Sequence, residues 1–279
     1  MTKSLKKTII ENFNIDNEIQ GIGMDIIGDS AIINLPEVLQ TNSKKVAELI
    51  LNENKQIKSI YLQKSKIKGK FRTREVQFII GEKKEYTAYK ENGCTFLIDI
   101  SNVYFSPRLS TERLRISNMV KTKETILNMF AGVGPFSIII SKNNPDSFIT
   151  NIEINPLAHE LSIKNTDLNN MSNRIKNIQG DVKGILDDSY QNKFDRILMP
   201  LPEDSLDYLD IAINVIKPNG FIHIYHHTFS SINSTVIDES IEKMEKIFPQ
   251  SIKIVDCRIV KETGPRWFQV VFDCIVNKN

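Results

Sequence analysis

The chain has 279 residues, of which 41% are hydrophobic and 25% charged, and its formal net charge is only +2. This length and composition suffice for one large hydrophobic core beside a smaller one, as in an enzyme of two domains. No apolar stretch reaches the length that crosses a membrane, and residues 1–13 lack the apolar centre of a signal peptide. We therefore expect a cytoplasmic protein that neither spans a membrane nor is exported.

The cysteines and histidines point to neither disulfides nor a metal. Cys94, Cys257 and Cys274 are scattered, odd in number and without C-x-x-C spacing, so we expect buried thiols in a reducing compartment. His223, together with residues 226 and 227, crowds one predicted strand end, but the further ligands that a metal would need are not apparent. These histidines are expected to touch a substrate or to lie at a sheet edge.

In chain order, the first predicted domain is a small α+β unit over residues 1–100. Short apolar segments at residues 30–35 and 76–80 alternate there with polar turns. Six basic residues then recur at every second position, and on a strand or a hairpin kinked at Gly69 they would all face one way. Such a row is a candidate contact for the phosphate backbone of RNA, the alternative being a solvated strand face. The six residues are Lys64, Lys66, Lys68, Lys70, Arg72 and Arg74.

The second predicted domain, residues 101–279, has the alternation of strands and helices that builds a parallel sheet covered on both faces. Two further strand candidates follow at its end, joined by the turn-like residues 263–265, and we expect them to form an antiparallel pair. A parallel sheet that ends in such a pair is the layout of a class I methyltransferase, an α/β Rossmann-like fold. The predicted strands are residues 126–130, 148–154, 175–178, 194–199, 221–225, 251–260 and 268–276.

A glycine loop follows the first of these strands. Residues 126–137 read I-L-N-M-F-A-G-V-G-P-F-S, in which Gly132 and Gly134 permit a sharp turn and close approach of a ligand to the backbone. Glu153 ends the next strand, where a carboxylate can accept hydrogen bonds from ribose hydroxyls. Strand, glycine loop, helix, strand and acid in this order predict a site for an adenosine-containing cofactor.

The residues after the glycines favour S-adenosylmethionine over a nicotinamide dinucleotide. A dinucleotide fingerprint has a third Gly or Ala where this chain has Ser137, and Pro135 removes an N–H that could hold a pyrophosphate. S-adenosylmethionine carries no phosphate and does not need that N–H. A nicotinamide-dependent dehydrogenase is therefore the weaker alternative.

Other strand ends add candidates, because ligands of such sheets lie over the carboxyl ends of the strands. Phe130 belongs to the glycine loop. Asp181 could accept hydrogen bonds from an adenine amino group, or Gly180-Asp181 could be an ordinary turn. Pro200 and Pro202 in M-P-L-P could shape the site of a methyl-accepting base, or simply stiffen a strand-to-helix turn.

Several longer motifs resemble the tRNA (guanine-37-N1)-methyltransferases of the archaeal and eukaryotic type, a class I S-adenosylmethionine-dependent family. The match extends from about residue 20 to the end, and its most specific part is Y-F-S-P-R-L-S-T-E-R at residues 104–113. The other matching stretches are F-R-T-R at 71–74, M-F-A-G-V-G-P-F-S at 129–137, I-N-P at 154–156 and M-P-L-P at 199–202.

The resemblance implies roles for individual residues. Glu112 matches the general base of the family, and Arg72 matches an arginine of its catalytic site. A carboxylate suits this chemistry because guanine N1 must lose its proton as the methyl group arrives, and an arginine could stabilise charge that grows on guanine O6. The residues that match the cofactor pocket are Tyr104, Arg108, Glu153 and Asp181. From its residues alone, Glu112 would be a surface acid in the first turn of a helix.

Two departures from the family pattern bear on the substrate. The fourth-strand motif of the family begins with an asparagine, where this chain has Pro200, and many members carry an additional small N-terminal domain that this chain is expected to lack. Relatives in the wyosine pathway methylate a guanine-derived tricyclic base or transfer the aminocarboxypropyl group instead, so a shifted substrate is one alternative. A non-catalytic RNA-binding protein of the same fold is another.

We therefore expect an S-adenosylmethionine-dependent methyltransferase that acts as a monomer on tRNA near the anticodon. Trp267 adds a smaller expectation. It lies beside apolar Phe268 and is interpreted as a core residue, although a tryptophan could also stack an RNA base.

Overall fold

The computed structural model of the protein describes residues 5–13, 20–230 and 235–278. No helix in these ranges is long and apolar enough to cross a membrane. The chain divides into two compact units, Met1–Pro107 and Arg108–Asn279. The boundary lies slightly beyond residue 100, and the domain limits given by the sequence remain a prediction.

The first unit contains a four-stranded sheet of order β1-β2-β3-β4 and a separate hairpin of β5 and β6. Strand β3 runs parallel to β2, and the other neighbouring pairs are antiparallel. Its core contains Ile33, Val46, Ile50 and Ile60, so α3 buries an apolar stripe against the sheet. The elements are α1 (Leu5–Phe13), β1 (Gly23–Ile27), β2 (Ser30–Asn34), α2 (Glu37–Gln40), α3 (Ser43–Glu53), β3 (Ser59–Gln63), β4 (Val76–Gly81), β5 (Thr87–Glu91) and β6 (Cys94–Ile98).

The second unit contains a seven-stranded sheet of order β12-β13-β11-β10-β7-β8-β9. Its strands from β11 to β9 are parallel, and β13 runs antiparallel to both β11 and β12, which confirms the predicted class I methyltransferase fold. The elements are α4 (Ser110–Met119), β7 (Thr125–Asn128), α5 (Pro135–Asn143), β8 (Phe148–Glu153), α6 (Pro156–Leu168), β9 (Ile175–Gln179), α7 (Val182–Ile185), β10 (Phe194–Met199), α8 (Leu209–Val215), β11 (Ile216–Phe229), α9 (Val236–Glu245), β12 (Ile252–Gly264) and β13 (Trp267–Val276).

Local sequence explains where the helices that flank the site begin. Gly134 has a left-handed backbone conformation at the start of α5, and Pro135 occupies the first helical position, where its missing N–H costs no hydrogen bond. Helix α6 begins in a similar way, because the Asn155 side chain accepts from the backbone N–H of Leu157 and Pro156 follows it. Both helices therefore start directly behind the carboxyl ends of β7 and β8.

Three expectations need correction. Strand β11 is much longer than the predicted residues 221–225, extending from Ile216 to Phe229. The interpretation of Trp267 as a core residue is wrong: alternation along β13 turns Phe268 inward and leaves the Trp267 side chain half exposed. His223 does not lie at a sheet edge, since β11 runs between β13 and β10 and the side chain of His223 is fully buried.

The basic segment also differs from the predicted row. Residues 64–75 connect β3 to β4 through a turn in which the Arg72 N–H donates to the carbonyl of Gly69, and Lys68 pairs with Thr73. The chain reverses there, so the six cations do not all face one way. Arg74 turns back to Asp25, at 3.6 Å, whereas Lys64, Lys66, Lys68 and Lys70 are exposed. The three free cysteines are buried, as predicted.

Candidate functional site

The glycine loop and Glu153 are joined by hydrogen bonds. The backbone N–H of Gly132 donates to Glu153 Oε2 at 2.6 Å, and that of Asn155 donates to Oε1 at 2.8 Å. Gly132 and Gly134 both have positive φ, 57° and 84°. A Cβ atom on Gly134 would lie 2.7 Å from Ser162 Oγ, so both backbone conformation and space require glycine there.

The electrostatics of Glu153 suit a hydrogen-bond acceptor in a sheltered position. Burial raises the pKa of Glu153, and the backbone N–H groups of Asn155 and Gly132 oppose that rise. Each carboxylate oxygen accepts one of these N–H bonds and has a further lone pair. Glu153 can therefore accept hydrogen bonds from the hydroxyls of a ribose without losing the contacts that hold it.

Asp181 and two aromatic rings form a neighbouring group. The Asp181 side chain caps α7 by accepting from the backbone N–H of Lys183 at 3.1 Å. Lys183 Nζ lies 4.8 Å from the centre of the Tyr208 ring, and Tyr208 meets Phe130 edge to face at 4.9 Å. Burial raises the pKa of Tyr208, and the charge of Asp181 adds to this rise. The glycine loop thus has an aromatic side, and Tyr208 is a residue that sequence reasoning missed.

The segment after β10 forms the tight turn expected from its prolines. The backbone N–H of Leu201 donates to the carbonyl of Met199 across Pro200, at 2.9 Å, and Pro202 is buried. Glu203 follows, with its Oε1 3.9 Å from His227 Nδ1 on β11. The M-P-L-P segment is thereby placed beside the end of β11.

Glu112 lies in the first turn of α4 and is buried, not on the surface. Arg115, one turn further on, donates from Nε to Glu112 Oε2 at 2.8 Å and from Nη2 to Oε1 at 2.7 Å. Tyr225 Oη donates to Oε1 at 2.7 Å. Both oxygens of the carboxylate are therefore fixed in place by donors.

Tyr225 also links Glu112 to the glycine loop. Its ring packs edge to face against Phe136, at 5.9 Å between centres, and Phe136 lies in the first turn of α5 directly after the loop. Burial raises the pKa of Tyr225 well above its ordinary value, and the charge of Glu112 adds to that rise. The hydroxyl therefore keeps its proton and acts as a donor.

Behind Glu112, charged groups continue in an alternating chain, which we call the buried charge network. Arg115 also binds Asp273, from Nη1 to Oδ2 at 2.6 Å. His223 Nδ1 lies 2.6 Å from Asp273 Oδ1. On the other side of the ring, Arg196 Nη1 lies 2.6 Å from His223 Nε2 and Arg196 Nε donates to Glu124 Oε2 at 2.7 Å.

These contacts fix the protonation state of His223. Arg196 has only donors, so His223 Nε2 must accept, and the ring proton on Nδ1 is donated to Asp273. Burial lowers the pKa of His223, in keeping with a neutral ring. The His223 and Arg115 contacts hold the pKa of Asp273 well below its usual range against the effect of burial. Three carboxylates and two guanidiniums leave the network with one negative charge in excess.

Sequence reasoning missed most of this network. Arg115, Tyr225 and Asp273 are not among the predicted site residues, and His223 is predicted only as one of three clustered histidines. The one available signal is that polar His223 and Asp273 stand within the largely apolar stretches I-H-I-Y at residues 222–225 and V-V-F-D-C-I-V at residues 270–276. Their pairing across β11 and β13 follows from topology and not from local sequence.

The remaining predicted residues lie elsewhere in the two units. Arg72 and Tyr104 belong to the first unit, where Arg72 has a positive φ of 56°. Arg108 is exposed in a short helical turn before α4. Within the second unit, the fold brings Glu112, Gly132, Gly134 and Glu153 around the start of α5, and it places Asp181 and Phe130 on the Tyr208 side.

Comparison with known proteins agrees with this geometry. The chain matches two family models, the TRM5/TYW2 methyltransferase domain over residues 87–258 and the TYW2 N-terminal domain over residues 14–84. It is 35% identical, over 94% of its own length and 78% of the relative's, to the tRNA (guanine(37)-N(1))-methyltransferase Trm5b of Pyrococcus abyssi.

Two further matches cover nearly the whole chain. The tRNA 4-demethylwyosine(37)-methyltransferase Taw21 of Saccharolobus solfataricus is 30% identical over 97% of this chain and 100% of that protein. The solved complex of aTrm5 with tRNALeu is 33% identical, with a TM-score of 0.84, and the match covers 99% of this chain and 80% of that one. The chain has the class I fold of S-adenosylmethionine-dependent methyltransferases and therefore belongs to the TRM5/TYW2 methyltransferase family.

Proposed function

We propose that this enzyme methylates N1 of guanosine 37 in tRNA. The observation that carries the proposal is the buried Glu112 carboxylate, held by Arg115 and Tyr225 beside the glycine loop. Relatives at 35% and 33% identity with this activity in their names support the same substrate. S-adenosylmethionine, when bound, supplies the electrophilic methyl group.

Glu112 accepts the proton that guanine N1 must lose. Of its two oxygens, Oε1 accepts from both Tyr225 and Arg115, whereas Oε2 accepts from Arg115 Nε. A carboxylate oxygen has two acceptor positions, so Oε2 is the atom we assign to the N1 proton.

The other residues bind and orient. Glu153 accepts from the ribose hydroxyls of the cofactor, Asp181 from its adenine amino group, and Phe130 with Gly132 and Gly134 lines the adenosine. Arg108, Pro200 and Pro202 line the same pocket, and the family resemblance assigns Tyr104 to cofactor binding. Arg72 stabilises charge on guanine O6, and the exposed Lys64, Lys66, Lys68 and Lys70 contact tRNA phosphates. We further propose that the enzyme is a monomer and is cytoplasmic.

The decisive experiment uses S-adenosylmethionine with distinct labels in its methyl and aminocarboxypropyl carbons. The enzyme is incubated with an unmodified tRNA transcript that has guanosine at position 37, and the nucleosides are analysed by mass spectrometry. Methyl label in 1-methylguanosine is the expected product. Methylation elsewhere, or transfer of the other label, would contradict the proposal.

A second candidate function is methylation of 4-demethylwyosine at the same position. Pro200, where the resembled family has asparagine, favours it, because an amide that could grip guanine is replaced by a ring without donors. The relative Taw21 is matched along its whole length. Product on tRNA that carries 4-demethylwyosine, with none on the unmodified transcript, would establish this alternative.

A further inference from the structure

The last part of β11 and the start of β13 extend beyond the neighbouring strand β10. The pairing of β10 with β11 ends at Met199 and Ile224, whereas β11 pairs with β13 as far as Phe229 and Trp267. This extension, residues 225–229 with 267–271, reaches past the carboxyl end of β10. It therefore lies on the side of the sheet where ligands of this fold bind.

Two large aromatic side chains meet at its tip. Phe229 and Trp267 are 51% and 48% exposed, and their rings pack edge to face with centres 5.6 Å apart. Burying such side chains contributes strongly to association, and here about half of each remains open to solvent. We call this pair the aromatic tip.

Strand alternation puts the aromatic tip on the same sheet face as the candidate base. Tyr225, His227 and Phe229 share one face of β11. Tyr225 donates to Glu112, and His227 lies beside Glu203, directly after the M-P-L-P segment. Phe229 lies four positions after Tyr225, which is about 13 Å at ~3.3 Å per residue. A nucleotide that flanks a target guanine bound at Glu112 can therefore reach the tip.

The charge around the tip is compatible with RNA. The turn between β12 and β13 holds the exposed Arg266 directly before Trp267. Arg266 has a positive φ of 62°, and its carbonyl accepts from the N–H of Ser230 at 3.1 Å, so the backbone of the turn is tied to β11. A cation next to exposed rings suits a nucleotide, which offers a base to stack and a phosphate to pair.

We propose that the aromatic tip stacks the base of a nucleotide adjacent to the target guanine and thereby keeps the target out of the RNA stack. This inference rests on the proposed function, since it takes an RNA substrate as given. It adds a binding site for a second base, distinct from the pocket for the methylated one.

Trp267 is the chain's sole tryptophan, so its fluorescence reads the tip directly. An anticodon stem-loop RNA is titrated into the wild-type enzyme, and binding is measured in parallel by filter retention. We expect saturable quenching of tryptophan emission at the concentration where the RNA binds. We also expect the quenching to disappear when one flanking nucleotide is made abasic, while that RNA is still retained. Binding without quenching, or quenching that survives abasic substitution at each flanking position, would overturn the proposal.

Variants give an independent test with a matched control. Trp267→Ala should raise the KM for RNA roughly 10-fold, the effect of one base–aromatic stack, and Trp267→Phe should restore most of the loss. Phe148→Ala is the control, because Phe148 is 59% exposed but stands at the first residue of β8, three strands away from β11 in the sheet. Thermal unfolding of each variant excludes loss of fold. Equal KM values for Trp267→Ala and Phe148→Ala would refute the role of the tip.

The fluorescence result is independent of the reaction. If the enzyme quenches with intact RNA but forms no 1-methylguanosine, the aromatic tip stands and the proposed methylation fails. If methylation proceeds without base-dependent quenching, the tip is refuted and the proposed function stands.

Discussion

At the scale of single residues, the candidate base Glu112 is fixed by side chains that are themselves fixed by further ion pairs and hydrogen bonds. Arg115 contacts both Glu112 and Asp273, and Asp273 in turn contacts His223. A buried carboxylate with partners on each oxygen has little freedom to move, which is what a base positioned for one proton requires. The contribution of each residue is therefore testable by a substitution that keeps its shape.

Glu112→Gln should lower kcat at least ~100-fold, because a neutral amide cannot accept the N1 proton. The affinity for S-adenosylmethionine should change little, since Glu153 and the glycine loop are unaltered. Single-turnover kinetics and calorimetric titration of the cofactor measure the two effects. Unchanged single-turnover rates would show that another group takes the proton.

His223→Gln should remove part of the acid sensitivity of folding. The folded protein keeps His223 neutral at a lowered pKa, whereas the unfolded chain protonates it near 6.5. The contribution of neutral His223 to the free energy of unfolding is therefore fully present above pH ~6.5. It is lost as the pH falls from there towards the pKa of the folded state, by at most ~1.4 kcal/mol per pH unit. The pKa of Asp273 is lowered as well, but its contribution to stability is lost only at pH values below the pKa of an ordinary carboxyl.

Glutamine can donate to Asp273 and accept from Arg196 but cannot titrate. Urea unfolding between pH 7.5 and 5.5 should thus show a shallower decline for His223→Gln than for the wild type. His226, whose pKa is also lowered by burial, is substituted in parallel as His226→Gln to separate its share. Parallel declines for wild type and His223→Gln would contradict the neutral state assigned to folded His223.

At the scale of elements, the turn between β7 and α5 is the most constrained part of the site. Gly134→Ala combines a left-handed φ with a Cβ atom 2.7 Å from Ser162 Oγ, and we expect a loss of about 1–3 kcal/mol in the free energy of unfolding. Gly184→Ala is the matched control, because nothing lies within 4 Å of the added atom there. Denaturant titration compares the two; an equal loss would mean that the loop is not constrained as described.

The sequence predicts the strands of the parallel sheet well, because β7, β8 and β10 are short buried apolar runs between turn residues. Phe194–Met199 is found with the predicted limits. The extension of β11 escaped prediction, since its first residues, I-K-P-N-G, and its histidines carry no strand pattern. Beyond Ile224 the strand continues by pairing with β13, a contact between segments far apart in the chain.

The candidate site likewise contains residues that the sequence predicts and residues that only the fold brings together. Gly132, Gly134 and Glu153 are visible in sequence because their spacing along one strand-turn-helix unit is the signal. Arg115 and Asp273 lie 158 positions apart, and only the fold brings them together. The interpretation of Trp267 fails because neighbours in sequence lie on opposite faces of a strand.

At the scale of the whole molecule, RNA affinity must depend on local charge, since the net charge is only +2. Lys66→Ala combined with Lys68→Ala should reduce the slope of log affinity against log salt by about 0.7–0.9 for each phosphate that the variant no longer neutralises. Lys68 already pairs with Glu75 at 3.3 Å, so we expect less than the full effect of two cations. Lys253→Ala, an exposed lysine of β12, is the control, and an unchanged slope in the double variant would exclude the basic segment as a phosphate-binding surface.

The three buried thiols offer separate reporters of opening in the two units. Alkylating reagents react with thiolates, and burial raises the pKa of Cys257 to about 12 and that of Cys274 further still. Cys94 lies buried in the hairpin of the first unit, and the other two lie in the sheet of the second. Mass spectrometry after pulsed alkylation therefore measures the rate of local unfolding of each unit in the wild-type enzyme. Added cofactor should lower the labelling rate of Cys257 and Cys274 more than that of Cys94.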